Sequence, residues 1–271
     1  MLRLRASVFL PPAVFILARK PMCLARFFTF GLYVGSMMVN YINKRVKLQN
    51  LKPGCLVEYT SFIMIFCDYG IVLNRRQLRE NDRIVTVFTE AGGKVEVNFK
   101  SVRLARGKLR ALSEPLSWGD FRFYLKKGSS FPVCTGGTSL SVFPGLRNDF
   151  GRLCLALHYC EIVNRLTPAQ QPAPDKYALL LGALHDLDTL GGGPWLRQAF
   201  TLRVLELAGF GFRETATGTE AALWDTLHAG TWAQVRELPG NKEVSGFVDG
   251  LFARFFGEHM GIELRTLPFV R

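Results

Sequence analysis

The sequence predicts an α+β protein in which a small β-barrel is followed by an all-helical domain. Residues 94–100 alternate strictly between polar and apolar side chains, residues 83–89 place Ile84, Thr86 and Phe88 on one side and Val85 and Val87 on the other, and an Ala91-Gly92-Gly93 turn separates the two runs. This pattern is typical of a β-hairpin. After Pro144-Gly145 the apolar spacing changes from two residues to three and four, which is typical of helices. We place the boundary between the two parts at this change.

Five short strands are expected in residues 64–145. They are residues 69–74, 83–89, 94–100, 118–127 and 132–143. In the third, Val95, Val97 and Phe99 share one side and charged or polar residues take the other, so the hairpin should have one wet face. Short strands separated by glycine-rich turns indicate a small barrel.

Helices are expected throughout residues 146–271. The expected helices are residues 146–166, 175–190, a third that opens at Pro194, a short one at 221–227 and a longer one at 242–260. Thr167-Pro168 should end the first, because proline cannot continue a helix. Residues 168–174 should form a short linker.

The net charge of +12 is unevenly distributed along the chain. Residues 1–63 contain nine Lys/Arg and one acid, and residues 64–145 contain 13 Lys/Arg and seven acids. Residues 146–271 are slightly acidic. A basic run follows the hairpin, and an OB-type barrel with a basic loop is suited to binding nucleic acid. The alternative is a solvated barrel rim.

Four segments stand out in order between about residues 66 and 212: IVLNRRQLRENDRIVTVFTEAGGKVEVNFKSVR, SWGDFRFYLKKG, FPGLRNDFGRLCLALHYCEIVNRLTP and RQAFTLRVLELAGFGF. These segments resemble the bacterial recombination mediators of the RecO family. The resemblance implies an OB-fold barrel followed by a helical domain. It also implies a cytoplasmic, nucleoid-associated DNA repair and recombination protein.

The resemblance further implies what such a protein binds. Proteins of this family bind single- and double-stranded DNA, anneal complementary strands, and help load recombinase onto DNA coated by single-strand-binding protein. The expected partners are therefore DNA, single-strand-binding protein and RecR, and no membrane partner is expected.

Nine basic residues of the barrel are candidate DNA contacts, since Lys and Arg neutralise phosphates. They are Arg75, Arg76, Arg79, Arg83, Lys100, Arg103, Arg106, Lys108 and Arg110. Candidate groups for stacking on bases are Phe99, Phe121, Phe123 and Tyr124, although several of these rings must instead fill the barrel core.

Neither catalysis nor a metal is expected. The four histidines lie in no known catalytic motif, and Cys154 with His158 is interpreted as a core cysteine beside a helix-surface histidine. Some proteins of the family have a four-cysteine zinc site after a GFG-like segment, but here no cysteine follows Cys160. We therefore predict a binding protein that is not an enzyme and has no metal and no cofactor.

Residues 1–63 are expected to be an extension outside the fold, with the functional chain starting near Met64. Their apolar runs are shorter than the roughly 20 residues that span a bilayer and are separated by Arg19, Lys20 and Arg26. Two alternative functions remain open from the sequence: an RNA-binding OB-fold module, and a membrane-associated protein that uses residues 1–63.

Overall fold

Five strands form the first part of the molecule in a computed structural model, which describes residues 63–104, 107–211 and 219–270. The strands are β1 (Ile63–Gln77), β2 (Arg83–Thr89), β3 (Gly93–Phe99), β4 (Trp118–Lys126) and β5 (Val133–Ser141), with a short 3-10 turn at Ala111–Ser113. Four of the five match the expected strands closely.

The strands curl into an OB-like barrel in the order β1-β2-β3-β5-β4, and β4 pairs with β1 again. Every pairing is antiparallel except that of β3 with β5, which meet only at Asn98 and Val133. This order and the single weak seam agree with the partly open five-stranded OB-fold. The predicted fold class is confirmed.

The first strand is longer than the sequence predicts, because it pairs with two neighbouring strands. Its first part pairs with β4 and its second part with β2, and the register shifts between Val72 and Asn74. A shift of this kind bends a strand. At Gly70, where β1 pairs with both, a Cβ atom would lie 2.6 Å from Cγ1 of Val87, so the close approach requires glycine.

The prediction of one wet face is wrong for β2. All its residues from Ile84 to Thr89 are buried. Val85 and Val87 join the hydrophobic cluster inside the barrel, whereas Phe88 belongs to a second cluster formed with the helices. Apolar residues occur on both sides of this strand, and both of its faces are covered.

Seven helices follow in the described residues. They are α1 (Pro144–Arg147), α2 (Phe150–Leu166), α3 (Pro174–Leu190), α4 (Leu196–Leu207), α5 (Thr219–Ala229), α6 (Trp232–Glu237) and α7 (Lys242–Arg254), and a π-helical turn (Phe255–His259) and a 3-10 turn (Leu267–Phe269) come after them. The sequence did not predict the short helices α1 and α6. In α6, Thr231 and Gln234 form a capping box, which stabilises a helix of only six residues.

The barrel and the helices share one hydrophobic cluster. Ile71, Leu73 and Phe88 of the barrel belong to it together with most of the buried helix residues. At this contact Trp118 donates its indole N–H to the hydroxyl oxygen of Tyr177 at 3.1 Å. The helices therefore cover one side of the barrel.

The expected linker packs on the hairpin turn. The backbone N–H of Gln170 donates to the carbonyl oxygen of Lys94 at 2.8 Å. A Cβ atom on Gly93 would lie 2.0 Å from the carbonyl oxygen of Gln171, and Gly93 has a φ of +72°. Glycine is required here both by the backbone conformation and by the contact.

Residues 1–62 lie outside the described part, so the expectation for the extension stays a prediction. The first described strand begins at Ile63, one residue before Met64. Of the helices that are described, none has the length and apolar character needed to cross a bilayer.

Candidate nucleic-acid interface

Three loops meet at one end of the barrel. The strand register places Arg76, Ile84, Asn98 and Val133 in one row across β1, β2, β3 and β5. The loops that adjoin this row are residues 78–82, residues 100–104 and residues 127–132. We call these three loops the basic end of the barrel.

Hydrogen bonds join the first two loops. The backbone N–H of Arg103 donates to the carbonyl oxygen of Asn81 at 3.2 Å. The backbone N–H of Ser101 donates to Oδ1 of Asp82 at 2.8 Å. These contacts bring Arg79, which precedes Asn81 by two residues, close to Lys100 and Arg103, although about 20 residues separate them in the sequence.

Five of the predicted DNA contacts are exposed and form no ion pair with any acid that the structure describes. They are Arg79, Lys100, Arg103, Lys108 and Arg110. An exposed cation that forms no ion pair is available to bind a phosphate. Binding is favoured because the counterion condensed on the phosphate is released. Arg106, between Arg103 and Lys108, lies outside the described residues.

Arg75 and Arg83 are instead paired with one carboxylate. Both side chains lie on the face of the sheet that lines the barrel interior. Arg75 pairs with Val85 and Arg83 pairs with Phe99, and the side chains of these two partners lie inside the barrel. Arg83 donates to Oε1 of Glu114 at 2.9 Å, and Arg75 donates to the other carboxylate oxygen. These two arginines therefore attach the loop before β4 to the barrel.

The electrostatics of Glu114 support this pairing. Burial would raise the pKa of its carboxyl group, but the hydrogen bonds and positive charges of Arg83 and Arg75 outweigh burial and lower it below the usual value. Glu114 thus stays ionised at neutral pH and offsets the positive charge of the two guanidinium groups.

Arg76 has a different environment on the outer face of the sheet. Its guanidinium donates to Oε2 of Glu96 at 3.1 Å and lies 5.9 Å from the ring centroid of Phe131. This distance is within the range of a cation–π contact. The predicted site therefore contains three paired arginines and a set of unpaired cations, and the sequence does not distinguish them.

Three of the four aromatic candidates are core residues and are not available for stacking on bases. Phe99, Phe121 and Phe123 have 0% exposed surface and pack against one another inside the barrel. Tyr124 is half-buried. The rings are inside because alternating residues of a strand face the barrel interior, as the sequence indicated for several of them.

Phe131 is a ring at this end that the sequence analysis missed. It lies in the loop between β4 and β5, is half-buried, and belongs to neither hydrophobic cluster of the described residues. No periodic pattern surrounds it, since Ser129 and Ser130 precede it and Pro132 follows it. Its position next to Arg76 comes from strand pairing alone.

The interpretation of His158 as a surface histidine is also wrong. The residue is 2% exposed, and its Nδ1 lies 2.7 Å from Oγ1 of Thr266. Cys154 is buried, and burial raises the pKa of its thiol, which disfavours the nucleophilic thiolate. Among the described residues, no three His, Cys, Asp or Glu side chains are placed to hold a metal ion.

Comparison with known proteins identifies the family. Residues 64–143 match the family described as Recombination protein O N terminal, and residues 147–220 match Recombination protein O C terminal. Together the two matches cover more than half of the sequence, in the order of barrel and helices. The chain belongs to the RecO family. The resemblance noted in the sequence is confirmed.

Relatives from several bacteria support the assignment to RecO. Proteins named DNA repair protein RecO from Streptomyces coelicolor and Streptomyces griseus are 34% and 33% identical to the chain over 153 residues. That stretch covers 54% of this chain and 62% of each relative. A protein of the same name from Listeria monocytogenes is 26% identical over 140 residues, which are 52% of this chain and 54% of the relative. The matched part thus spans less than two thirds of these RecO proteins.

Proposed function

We propose that the chain acts in DNA repair and recombination as a mediator. Its barrel would bind single- and double-stranded DNA, anneal complementary strands, and help load recombinase onto DNA coated by single-strand-binding protein. The observation that carries this proposal is the convergence of Arg79, Lys100 and Arg103, all exposed and without an ion pair among the described residues, at one end of an OB-like barrel.

The physical basis of annealing is charge neutralisation. Two DNA strands repel each other through their phosphates, and a protein surface with several unpaired cations reduces this repulsion. Binding of this kind is independent of sequence, because phosphates carry no sequence information. That property suits a protein that must act on any single strand at a site of damage.

We assign the two parts of the fold to different tasks. Residues 64–145 form the DNA-binding domain, and residues 146–271 form the helical domain that supports it. The proposed protein partners are single-strand-binding protein and RecR, and the proposed location is the cytoplasm near the nucleoid. Lys108 and Arg110 extend the basic surface beyond the three central cations, whereas Arg75 and Arg83 mainly hold the barrel together.

The test is the salt dependence of DNA binding. In the triple variant Arg79→Gln, Lys100→Gln, Arg103→Gln, up to three phosphate contacts are lost. Each contact contributes about 0.7 to the slope of log affinity against log salt on single strands, so the slope should fall by about 2. Fluorescence anisotropy with a labelled oligonucleotide between about 50 and 200 mM salt measures it.

A matched control removes three exposed cations from the helical part. The variant Lys242→Gln, Arg254→Gln, Arg265→Gln has the same net charge as the triple variant, and all three positions are exposed. It should keep most of the wild-type slope. If the two variants change the slope equally, the basic end is not the binding site and general charge explains the effect.

Annealing is measured separately, with complementary strands coated by single-strand-binding protein. The wild-type chain should accelerate duplex formation and the basic-end variant should not. Tighter binding to RNA than to DNA of the same sequence, without any acceleration of annealing, would contradict the proposal and support an RNA-binding module.

A further inference from the structure

An aromatic ring at the basic end is placed outside the core. Phe131 is half-buried and belongs to neither hydrophobic cluster that the described residues form. The barrel is already filled by Phe99, Phe121 and Phe123. Phe131 is therefore not needed to complete the barrel interior, and its ring contributes apolar surface to the outside of the loop.

The loop that carries Phe131 is bonded to β3 on one side of the ring and is closed by a hydrogen bond of its own on the other side. The backbone N–H of Asn98 donates to the carbonyl oxygen of Pro132 at 2.8 Å, and the hydroxyl of Ser129 donates to the carbonyl oxygen of Phe131 at 2.9 Å. These bonds limit the movement of the backbone on either side of the ring. A rigid ring loses little conformational entropy when a ligand contacts it.

A guanidinium group lies next to the ring. Arg76 is 5.9 Å from the centroid of Phe131, and Glu96 holds the same guanidinium through a hydrogen bond of 3.1 Å. Arg76, which is paired with Glu96, thus places a guanidinium group over the ring. The combination of an aromatic ring with a nearby arginine is the chemistry that binds an unpaired base and its phosphate.

We propose that Phe131 is a base-stacking residue that makes the basic end bind single-stranded DNA more tightly than duplex DNA. This inference rests on the proposed DNA-binding function. An unpaired base can place its flat face against the ring, whereas in a duplex the faces of each base are covered by its neighbours. The unpaired cations contact phosphates of both forms, so the ring supplies the discrimination.

Three variants of the full chain test the inference. In Phe131→Ala and Phe131→Leu the flat ring is lost, and in Phe131→Trp a ring is retained. Stacking of one base contributes a factor of roughly 5 to 150 to affinity. The Ala and Leu variants should therefore bind a single-stranded 15-mer about 5- to 150-fold more weakly and bind the duplex within about twofold of wild type.

Two further readouts separate stacking from a change in the loop. The salt slope of single-strand binding should be the same in wild type and Phe131→Leu, because no phosphate contact is lost. The Phe131→Trp variant should retain the single-strand affinity and gain a fluorescence component that is quenched on binding. Thermal unfolding of each variant verifies that the barrel stays folded.

The outcomes distinguish this inference from the function on which it rests. The wild-type chain should bind both single-stranded and duplex DNA. If Phe131→Ala then weakens binding of the two forms equally, or weakens neither, the stacking role alone is overturned. A wild-type chain that binds neither DNA overturns the proposed function and the stacking role with it. Loss of single-strand affinity in Phe131→Trp as large as in Phe131→Ala also overturns stacking.

Discussion

Lowering the pH should destabilise the protein through one buried histidine. His158 lies on α2 and faces Thr266 of the carboxy-terminal segment. Glu161, one turn further along α2, accepts hydrogen bonds from the backbone N–H groups of Arg265 and Thr266 and from the hydroxyl of Thr266. These contacts attach the carboxy-terminal segment to α2.

The hydrogen bonds define the protonation state of His158. An ionised carboxylate can only accept, so the hydroxyl of Thr266 donates its single proton to Glu161. The same hydroxyl must then accept from Nδ1–H of His158, which places the ring proton on Nδ1 in the neutral form. Burial, and to a smaller extent the charge of Arg197, lower the pKa of His158 to about 4 against the opposing effect of Glu161.

The magnitude follows from the difference between the folded and unfolded pKa values. The unfolded chain has a histidine pKa of about 6.5. Between pH 6.5 and about 4 the unfolded state binds more protons, so the free energy of unfolding decreases as the pH falls. From pH 7 to pH 5 the decrease is about 2 kcal/mol, and it approaches about 3 kcal/mol below pH 4.

Glu161 changes the free energy of unfolding in a lower pH range than His158 does. Burial would raise the pKa of its carboxyl group, but the hydrogen bonds from Thr266 and Arg265 lower it overall. Its contribution to stability is present above its unfolded pKa of about 4.5 and is lost below it. The range from pH 7 to pH 5 therefore reports mainly on His158.

The assay is urea unfolding at pH 7 and pH 5 of wild type and His158→Gln, which cannot titrate. Wild type should lose about 2 kcal/mol more than the variant over this interval. The control is His185→Gln, because His185 is exposed, and this variant should follow wild type. Equal losses in wild type and His158→Gln, or an NMR titration of His158 with a midpoint near 6.5, would refute the reasoning.

Two further substitutions test the hairpin turn and the paired arginines. Gly93→Ala should destabilise the protein by at least about 2 kcal/mol, because the new Cβ atom meets the carbonyl oxygen of Gln171. Gly128→Ala is the control, since Gly128 has a similar φ of +78° but open space around it, and this variant should lose less stability. Equal losses of stability in thermal unfolding would disprove the role of the contact with Gln171. Glu114→Gln should tighten single-strand binding, since it removes the negative charge between two guanidinium groups of the barrel, and unchanged or weaker binding in anisotropy would contradict this.

The local elements were predicted well where a pattern repeats over several residues. Strands β2, β3 and β4 and helices α2 and α3 all have regular apolar spacing, and their observed bounds lie within a few residues of the expected ones. The first part of β1 and the short helices α1 and α6 were missed. The start of β1 is held by β4, a distant partner that spacing along the chain does not reveal. Helices α1 and α6 have only four and six residues, which is too short for a repeating apolar pattern.

The candidate site was also predicted only in part. The sequence identified the basic residues of the barrel, but only the structure brings the loops of Arg79 and Arg103 together. The sequence also assigned the same role to Arg75 and Arg83, which pair with Glu114 at separations of 39 and 31 residues. Their pairing depends on strand register and barrel closure, and neither is readable from charge alone.

The sequence by itself determined the family, the order of barrel and helices, and the excess of positive charge in the barrel. These properties depend on local patterns: period-two alternation, helical spacing, and the glycine and proline residues that end each element. Only the tertiary structure decided which side chains are accessible. It buried Phe99 and His158, paired Arg75 with Glu114, and placed Phe131 beside Arg76, because burial and pairing depend on contacts between residues that are distant in sequence.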